Sequence, residues 1–245
     1  MAYKLERMLW QQVRDTVPDM IDTVVLPIGT IEAHGAACLG TDVFIPEDIS
    51  EFVCDKFNFI KAPPIWYGIT KSLLDYPGSL TVEPETLKNY VMELLKSFQR
   101  HDFKKVIIMN GHGGNNSVLK ECASEAFRVM RLKVAVIHWW IMCSEVTREV
   151  YGMEGGHAGI DETGYVVALD PSLADKKRYR RNLVYENVTG SDVYPVPGTV
   201  LLYNEKGEGE PDFDHEKGVV FAEKVKEKVA NAIKYIMDRW KANLE

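Results

Sequence analysis

The sequence predicts an α/β fold in which a mostly parallel sheet is covered by helices. Three observations point there. Short apolar runs alternate with longer amphipathic stretches, the pattern of strands joined by crossover helices. Two of those runs end in segments dense in Gly, His, Glu and Asp, and ligands of open α/β sheets bind beyond the carboxyl ends of strands. With 245 residues, 46% of them hydrophobic, the chain can also bury a sizeable core without dividing.

In chain order, Thr23–Ile28 reads as a buried strand stopped by Gly29. A helix is expected from Ile45 to Phe57, then a shorter strand over Ile60–Pro63. Pro84 to His101 has a helical pattern, and Lys105–Met109 is a second buried strand ending at Asn110-Gly111. Asn116 to Met130 is the next helix and Val134–Ile137 the next strand. The last helix, Glu216 to Trp240, sets Val219, Ala222, Val225, Val229, Ile233, Ile236 and Trp240 on one stripe. Gly- and Pro-containing stretches at Tyr194–Gly198 and Gly207–Pro211 read as surface loops. With no internal repeat or low-complexity linker, residues 1–245 are expected to form one domain.

The formal net charge of -7 argues against a nucleic-acid partner, whose phosphates need clustered Lys and Arg. The basic run Lys176-Lys177-Arg178 with Arg180-Arg181 reads as a solvated loop or subunit contact. Four scattered cysteines without C-x-x-C spacing fit reduced thiols in a cytoplasm. The charged N-terminus MAYKLERMLWQQVRD has no apolar signal region. No apolar run nears the roughly 18 residues of a bilayer span. A cytoplasmic protein with no membrane partner is expected.

Three segments carry chemistry. Pro27-Ile-Gly-Thr-Ile-Glu-Ala-His-Gly35 is followed by Leu39-Gly-Thr-Asp42. Side chains at i and i+2 of an extended chain share a face, so Glu32 and His34 can offer a carboxylate and an imidazole to one volume. Asp42 precedes a helix and reads as either ligand or N-terminal cap. Asn110-Gly-His-Gly-Gly-Asn115 follows a strand but lacks the spacing of a P-loop or dinucleotide turn. His112, held between Gly111 and Gly113, reads as a ligand whose neighbours must be small. Gly155-Gly-His-Ala-Gly-Ile-Asp-Glu-Thr163 adds His157, and Glu162 on the first turn of a helix. Carboxylate and imidazole together suit zinc, with manganese or ferrous iron as alternatives. Of the remaining residues, at least one of Trp139 and Trp140 is expected in the core. Tyr76-Pro77-Gly78 reads as a turn positioning a loop near the site, and Asn115-Asn116 as a cap on the following helix.

The ordered motifs PIGTIEAHG, LGTD, YPGSLT, NGHGGN and GGHAGIDET resemble the creatininase family of metal-dependent amidohydrolases. The match runs from Leu26 to about Leu169, and His215-Glu-Lys-Gly218 resembles the family's approach to its closing helix. The resemblance implies a layered α/β/α fold, a two-metal centre and usually a homohexamer. By it, Glu32 and His112 would bind one metal, His34 the other, and Asp42 would bridge them. His157 and Glu162 match the family segment beside the metals. Creatinine-hydrolysing members carry Asn-Gly-His-Tyr-Glu-Asn, whose Glu completes the second metal's shell; Gly113 and Gly114 stand at the Tyr and Glu positions here. Glu162 is therefore the expected replacement ligand. Gly35–Gly40 also departs from the family's Gly-Pro-His-Leu-Pro-Leu, which points to an unusual substrate.

By this resemblance, water activated by two divalent ions attacks an amide carbonyl. His157 passes a proton to the leaving nitrogen, or else only orients a ligand. A cyclic amide or formamide of a small molecule is the expected substrate. A metallopeptidase acting on a peptide-derived cofactor precursor is the second reading. A noncatalytic metal- or nucleotide-binding regulator with the same fold is the third.

Overall fold

A computed structural model describes residues 3–186, positions 188, 190, 191 and 193, residues 201–203, and residues 209–242. Its elements are β1 (Tyr3–Lys4), α1 (Trp10–Thr16), β2 (Thr23–Ile28), α2 (Thr41–Phe57), β3 (Ile60–Lys61), α3 (Pro84–Arg100), β4 (Lys105–Asn110) and α4 (Asn116–Met130). They continue with β5 (Lys133–His138), α5 (Trp139–Met142), α6 (Ser144–Tyr151), α7 (Ile160–Leu169), β6 (Val184–Glu186), β7 (Leu201–Tyr203) and α8 (His215–Ala242). The predicted loop at Tyr194–Gly198 lies outside the described residues, as do Gly207 and Glu208 of the second predicted loop.

Five strands form one parallel sheet in the order β1-β3-β2-β4-β5. Successive strand side chains point to opposite faces, and the two halves of the core follow that alternation. Val25, Ile107 and Met109 pack against Ile45, Ile49, Tyr165 and Val229 on one face. Val24, Leu26, Val106 and Ile108 pack against Val91, Leu95, Leu119 and Cys122 on the other. The layered α/β/α fold read from the sequence is the fold observed. Burying each such aliphatic side chain contributes about 1.5–3 kcal/mol, so this double-sided packing fixes the strand ends that carry the site.

Helix α2 begins at Thr41 rather than Ile45 and runs through Pro46. Pro46 has no N–H to give the Asp42 carbonyl four residues back. That carbonyl instead faces two glycines: a Cβ added to Gly29 or to Gly111 would stand 2.0 Å from its oxygen. Glycine at both strand ends is thus what lets the start of α2 lie against β2 and β4. The short elements β1, α1, α5 and α6 were not foreseen, being too brief for a periodic signal. The Lys176–Arg178 run forms an exposed 3-10 turn. Among the described residues, no helix is long and apolar enough to cross a membrane.

Candidate metal centre

Beyond the carboxyl ends of β2 and β4, four elements converge. The segment after β2 supplies Glu32 and His34, α2 supplies Asp42, the turn after β4 supplies His112, and the α7 region supplies His157 and Glu162. Glu32, His34 and Asp42 are almost wholly removed from solvent, with exposures of 2%, 1% and 2%. Asp42 is the second residue of α2, whose N-cap is Gly40; its carboxylate faces the imidazoles of His34 and His112.

Each histidine has one ring nitrogen anchored to a backbone carbonyl. His34 Nδ1 donates to Glu32 O at 3.0 Å, His112 Nε2 to Ile69 O at 2.7 Å, and His157 Nε2 to Ala33 O at 2.9 Å. A carbonyl can only accept, so each anchored nitrogen carries a proton, and the second nitrogen is the one left to take a further proton or a metal. Those free nitrogens all face carboxylates. His34 Nε2 lies 2.9 Å from Asp42 Oδ1 and 3.6 Å from Glu162 Oε2. His112 Nδ1 lies 2.8 Å from Asp42 Oδ2 and 3.4 Å from Glu32 Oε1. His157 Nδ1 lies 3.5 Å from Glu32 Oε1.

Lone pairs set against carboxylate oxygens repel unless a proton or a cation lies between them. Despite the short approaches, His34 Nε2 and Asp42 Oδ2 are buried with no partner in hydrogen-bonding geometry. Burial opposes charge on both imidazoles, but Asp42 outweighs it. It holds the His34 pKa well above the ordinary value and raises that of His112 to about 9. Asp42 is buried too, yet the two histidines hold its pKa below the usual carboxylate range. Burial raises Glu162 well above and Glu32 above their ordinary values. His157, buried and beside His34, is pushed down to about 3.

The donor set suits divalent cations. Ligand atoms of Glu32, Asp42 and His112 lie within 4.8 Å of one another, as do those of His34, Asp42 and Glu162, and those of Glu32, His34 and His157. Asp42 belongs to both of the first two groups. All six residues singled out from the sequence are therefore brought together.

Sequence reasoning missed the frame around them. Asn110 is fully buried: its Oδ1 accepts from His112 N at 3.2 Å, and its Nδ2 donates to His112 O at 2.8 Å. Asn115 does not cap α4 with its side chain. It accepts from Ile69 N and donates to Gly29 O, tying the two loops together. The small neighbour that His112 requires is Gly114, not Gly113, while Gly111 makes room for the Asp42 carbonyl. A Cβ on Gly114 would sit 2.0 Å from Ile69 O and 2.5 Å from His112 Nε2, whereas one on Gly113 would meet only Trp140 at 3.9 Å. The Tyr76–Gly78 turn leads into Ser79, whose hydroxyl accepts from Ala33 N. Trp139 is core, while Trp140 lines a cavity of about 430 Å³ together with Glu32, Asp42, His112, His157 and Glu162.

The family profile described as "Creatininase: Creatinine amidohydrolase" matches residues 6–233. The chain belongs to the creatininase family. It is 26% identical over 233 residues to a creatinine amidohydrolase of Pseudomonas putida, covering 81% of this chain and 88% of the relative. It is 28% identical over 181 residues to a 3-dehydro-scyllo-inosose hydrolase of Thermotoga maritima, covering 69% of this chain and 56% of that one. A mycofactocin precursor peptide peptidase of Mycolicibacterium smegmatis is 26% identical over 159 residues, covering 62% of this chain and 60% of the relative. Among solved structures, a mutant creatininase of the Zn-Zn type matches in fold with a TM-score of 0.82 at 24% identity, over 96% of this chain and 98% of that one.

Proposed function

We propose that the chain is a metal-dependent amidohydrolase that cleaves a C–N amide bond of a small molecule with water as nucleophile. One observation carries the reading: three histidines are locked so that their free nitrogens face buried carboxylates, and two triads of ligand atoms share Asp42. Glu32, Asp42 and His112 would hold one divalent ion, and His34, Asp42 and Glu162 the second, zinc first with manganese or iron as alternatives. Bound there, the ions would supply Lewis acidity and make water nucleophilic near neutral pH.

The protein's own groups do the rest. His157 lines the cavity and is neutral at pH 7, with its proton held on Nε2 by Ala33 O. Its free Nδ1 faces Glu32 and would either hand a proton to the nitrogen that leaves or only orient a ligand. Glu162 is turned to the centre by Ala158 N–H, which donates to its Oε2 at 2.7 Å. Trp140 and Leu73 supply apolar surface on the cavity wall.

A cyclic amide or a formamide is the leading substrate class, with creatinine itself set aside because Gly113 and Gly114 occupy the positions where creatinine-hydrolysing members carry Tyr and Glu. The peptide peptidase among the relatives keeps a metallopeptidase as the second reading. Metal analysis of the purified protein, followed by turnover of a lactam, an N-formyl compound and a short peptide in zinc, manganese and iron forms, tests both. A protein that binds no transition metal and turns over none of these is a regulator, not a hydrolase.

A further inference from the structure

Seventeen residues line the cavity at the candidate metal centre, and among these described residues none is Lys or Arg. Besides the proposed ligands and His157, its ionisable wall is Glu154 and Asp161. Glu154 pairs with Arg148, which does not reach the cavity. Among the described residues Asp161 has no basic partner of this kind. It is 5% exposed and belongs to none of the mutually close ligand groups.

The backbone is shaped to hold Asp161 there. Consecutive helical residues point about 100° apart, so α7 can turn Glu162 to the centre and Asp161 to a different part of the same wall. Gly156 N–H donates to Asp161 Oδ1 at 3.1 Å. A Cβ on Gly155 would fall 2.1 Å from Asp161 Oδ2, so glycine at 155 is what admits the carboxylate. Asp42 in the same lining keeps Oδ2 buried with no partner in hydrogen-bonding geometry, 2.8 Å from His112 Nδ1, which marks this end of the cavity as the metal end.

We infer that Asp161 is a specificity-determining residue that receives a cationic amine or amidine on the substrate. This rests on the hydrolase reading above and names the substrate class for the same cavity. The carbonyl to be cleaved goes to the metal end, and the cation goes to Asp161. Substrates with a phosphate or carboxylate at that position meet an acidic wall with no cation to receive them.

Binding of three hydroxamates to the zinc-loaded protein, followed by calorimetry, separates this from the reading beneath it. The probes are hexanohydroxamate, ω-aminohexanohydroxamate and adipic monohydroxamate, alike in length and different in tail charge. The amino-tailed probe should bind about tenfold tighter than the neutral one, and the carboxylate-tailed probe more weakly than either. Asp161→Asn keeps the acceptor for Gly156 N–H and should erase most of that preference with zinc content unchanged. Three equal affinities, or a preference that survives in Asp161→Asn, overturn the role of Asp161 and leave the metal centre standing. No binding by any hydroxamate overturns the hydrolase reading and this inference with it.

Discussion

A Cβ on Gly29 would stand 2.0 Å from the backbone carbonyl oxygen of Asp42. The strand end and the helix start are therefore in contact at a distance only glycine permits, and Gly111 repeats the contact from β4. Gly29→Ala must push α2 outward or bend β2. An overpacked core costs about 1–3 kcal/mol, and the movement draws Asp42 away from both histidines. Denaturant unfolding of Gly29→Ala should show that loss, with metal content reduced at both sites. An unchanged midpoint and full metal content would mean that the contact is incidental.

On the proposed reading, Glu162 decides whether the centre holds two ions. Its Oε2 lies 3.6 Å from His34 Nε2, and with Asp42 it completes a group that does not use Glu32 or His112. Glu162→Ala should lower bound metal from about two per chain to about one, because a buried pair of ligands rarely retains a divalent ion alone. Equilibrium dialysis with elemental analysis measures this directly. Two ions still bound in Glu162→Ala would remove Glu162 from the ligand set.

All six residues that the fold brings together were legible in the sequence: Glu32, His34 and His112 follow predictable strands, while Asp42, His157 and Glu162 stand at or near helix starts. Periodicity found β2, β4, β5, α3, α4 and α8. The frame was not visible. The Ile69 carbonyl that orients His112 belongs to a segment with no periodic signal, and any residue type has a carbonyl. Asn115 reads as a cap by position, yet long-range geometry turns its amide to Ile69 and Gly29. Asp42 was ambiguous between cap and ligand because both uses place a carboxylate at a helix start.

The family's glutamate cannot simply be restored at position 114. A Cβ there would meet Ile69 O at 2.0 Å and His112 Nε2 at 2.5 Å, which are the two atoms of the bond that fixes the His112 tautomer. Gly114→Glu should therefore lose metal and stability rather than gain creatinine hydrolysis. Thermal unfolding and a creatinine assay on the zinc form check both expectations; a stable variant with new creatinine turnover would reverse the assignment.

Proton and metal should compete for the same nitrogens. The His112 pKa is raised to about 9 in the folded chain without metal, against about 6.5 when unfolded. A raised folded value adds stability that is complete below pH 6.5 and lost as pH climbs to 9, here about 3 kcal/mol at most. His34 is shifted in the same direction. Chelator-treated protein should therefore melt at lower temperature as pH rises through this window, and added zinc should restore more at the upper end. Zinc uptake at pH 7 should release protons, seen as a dependence of the calorimetric heat on buffer ionisation. A melting temperature of the chelated protein that is flat from pH 6.5 to 9 would contradict the protonation assigned to these rings.

Asn110 tests how far the site depends on its frame. Its amide grips both backbone groups of His112, with Nδ2 also 2.9 Å from Asn116 Oδ1 and 3.0 Å from His138 Nδ1. Asn110→Asp keeps the shape but places an acceptor where His112 O and Asn116 Oδ1 both need a donor. Leaving buried acceptors unpaired costs about 1–3 kcal/mol each, so the variant should be destabilised by a few kcal/mol. Because Asn110 touches His112 and not His34, the loss of metal should fall on the site that uses His112. Spectroscopy of a cobalt-substituted protein can follow the two sites separately. Equal loss at both would mean that Asn110 supports the whole strand end rather than one ligand.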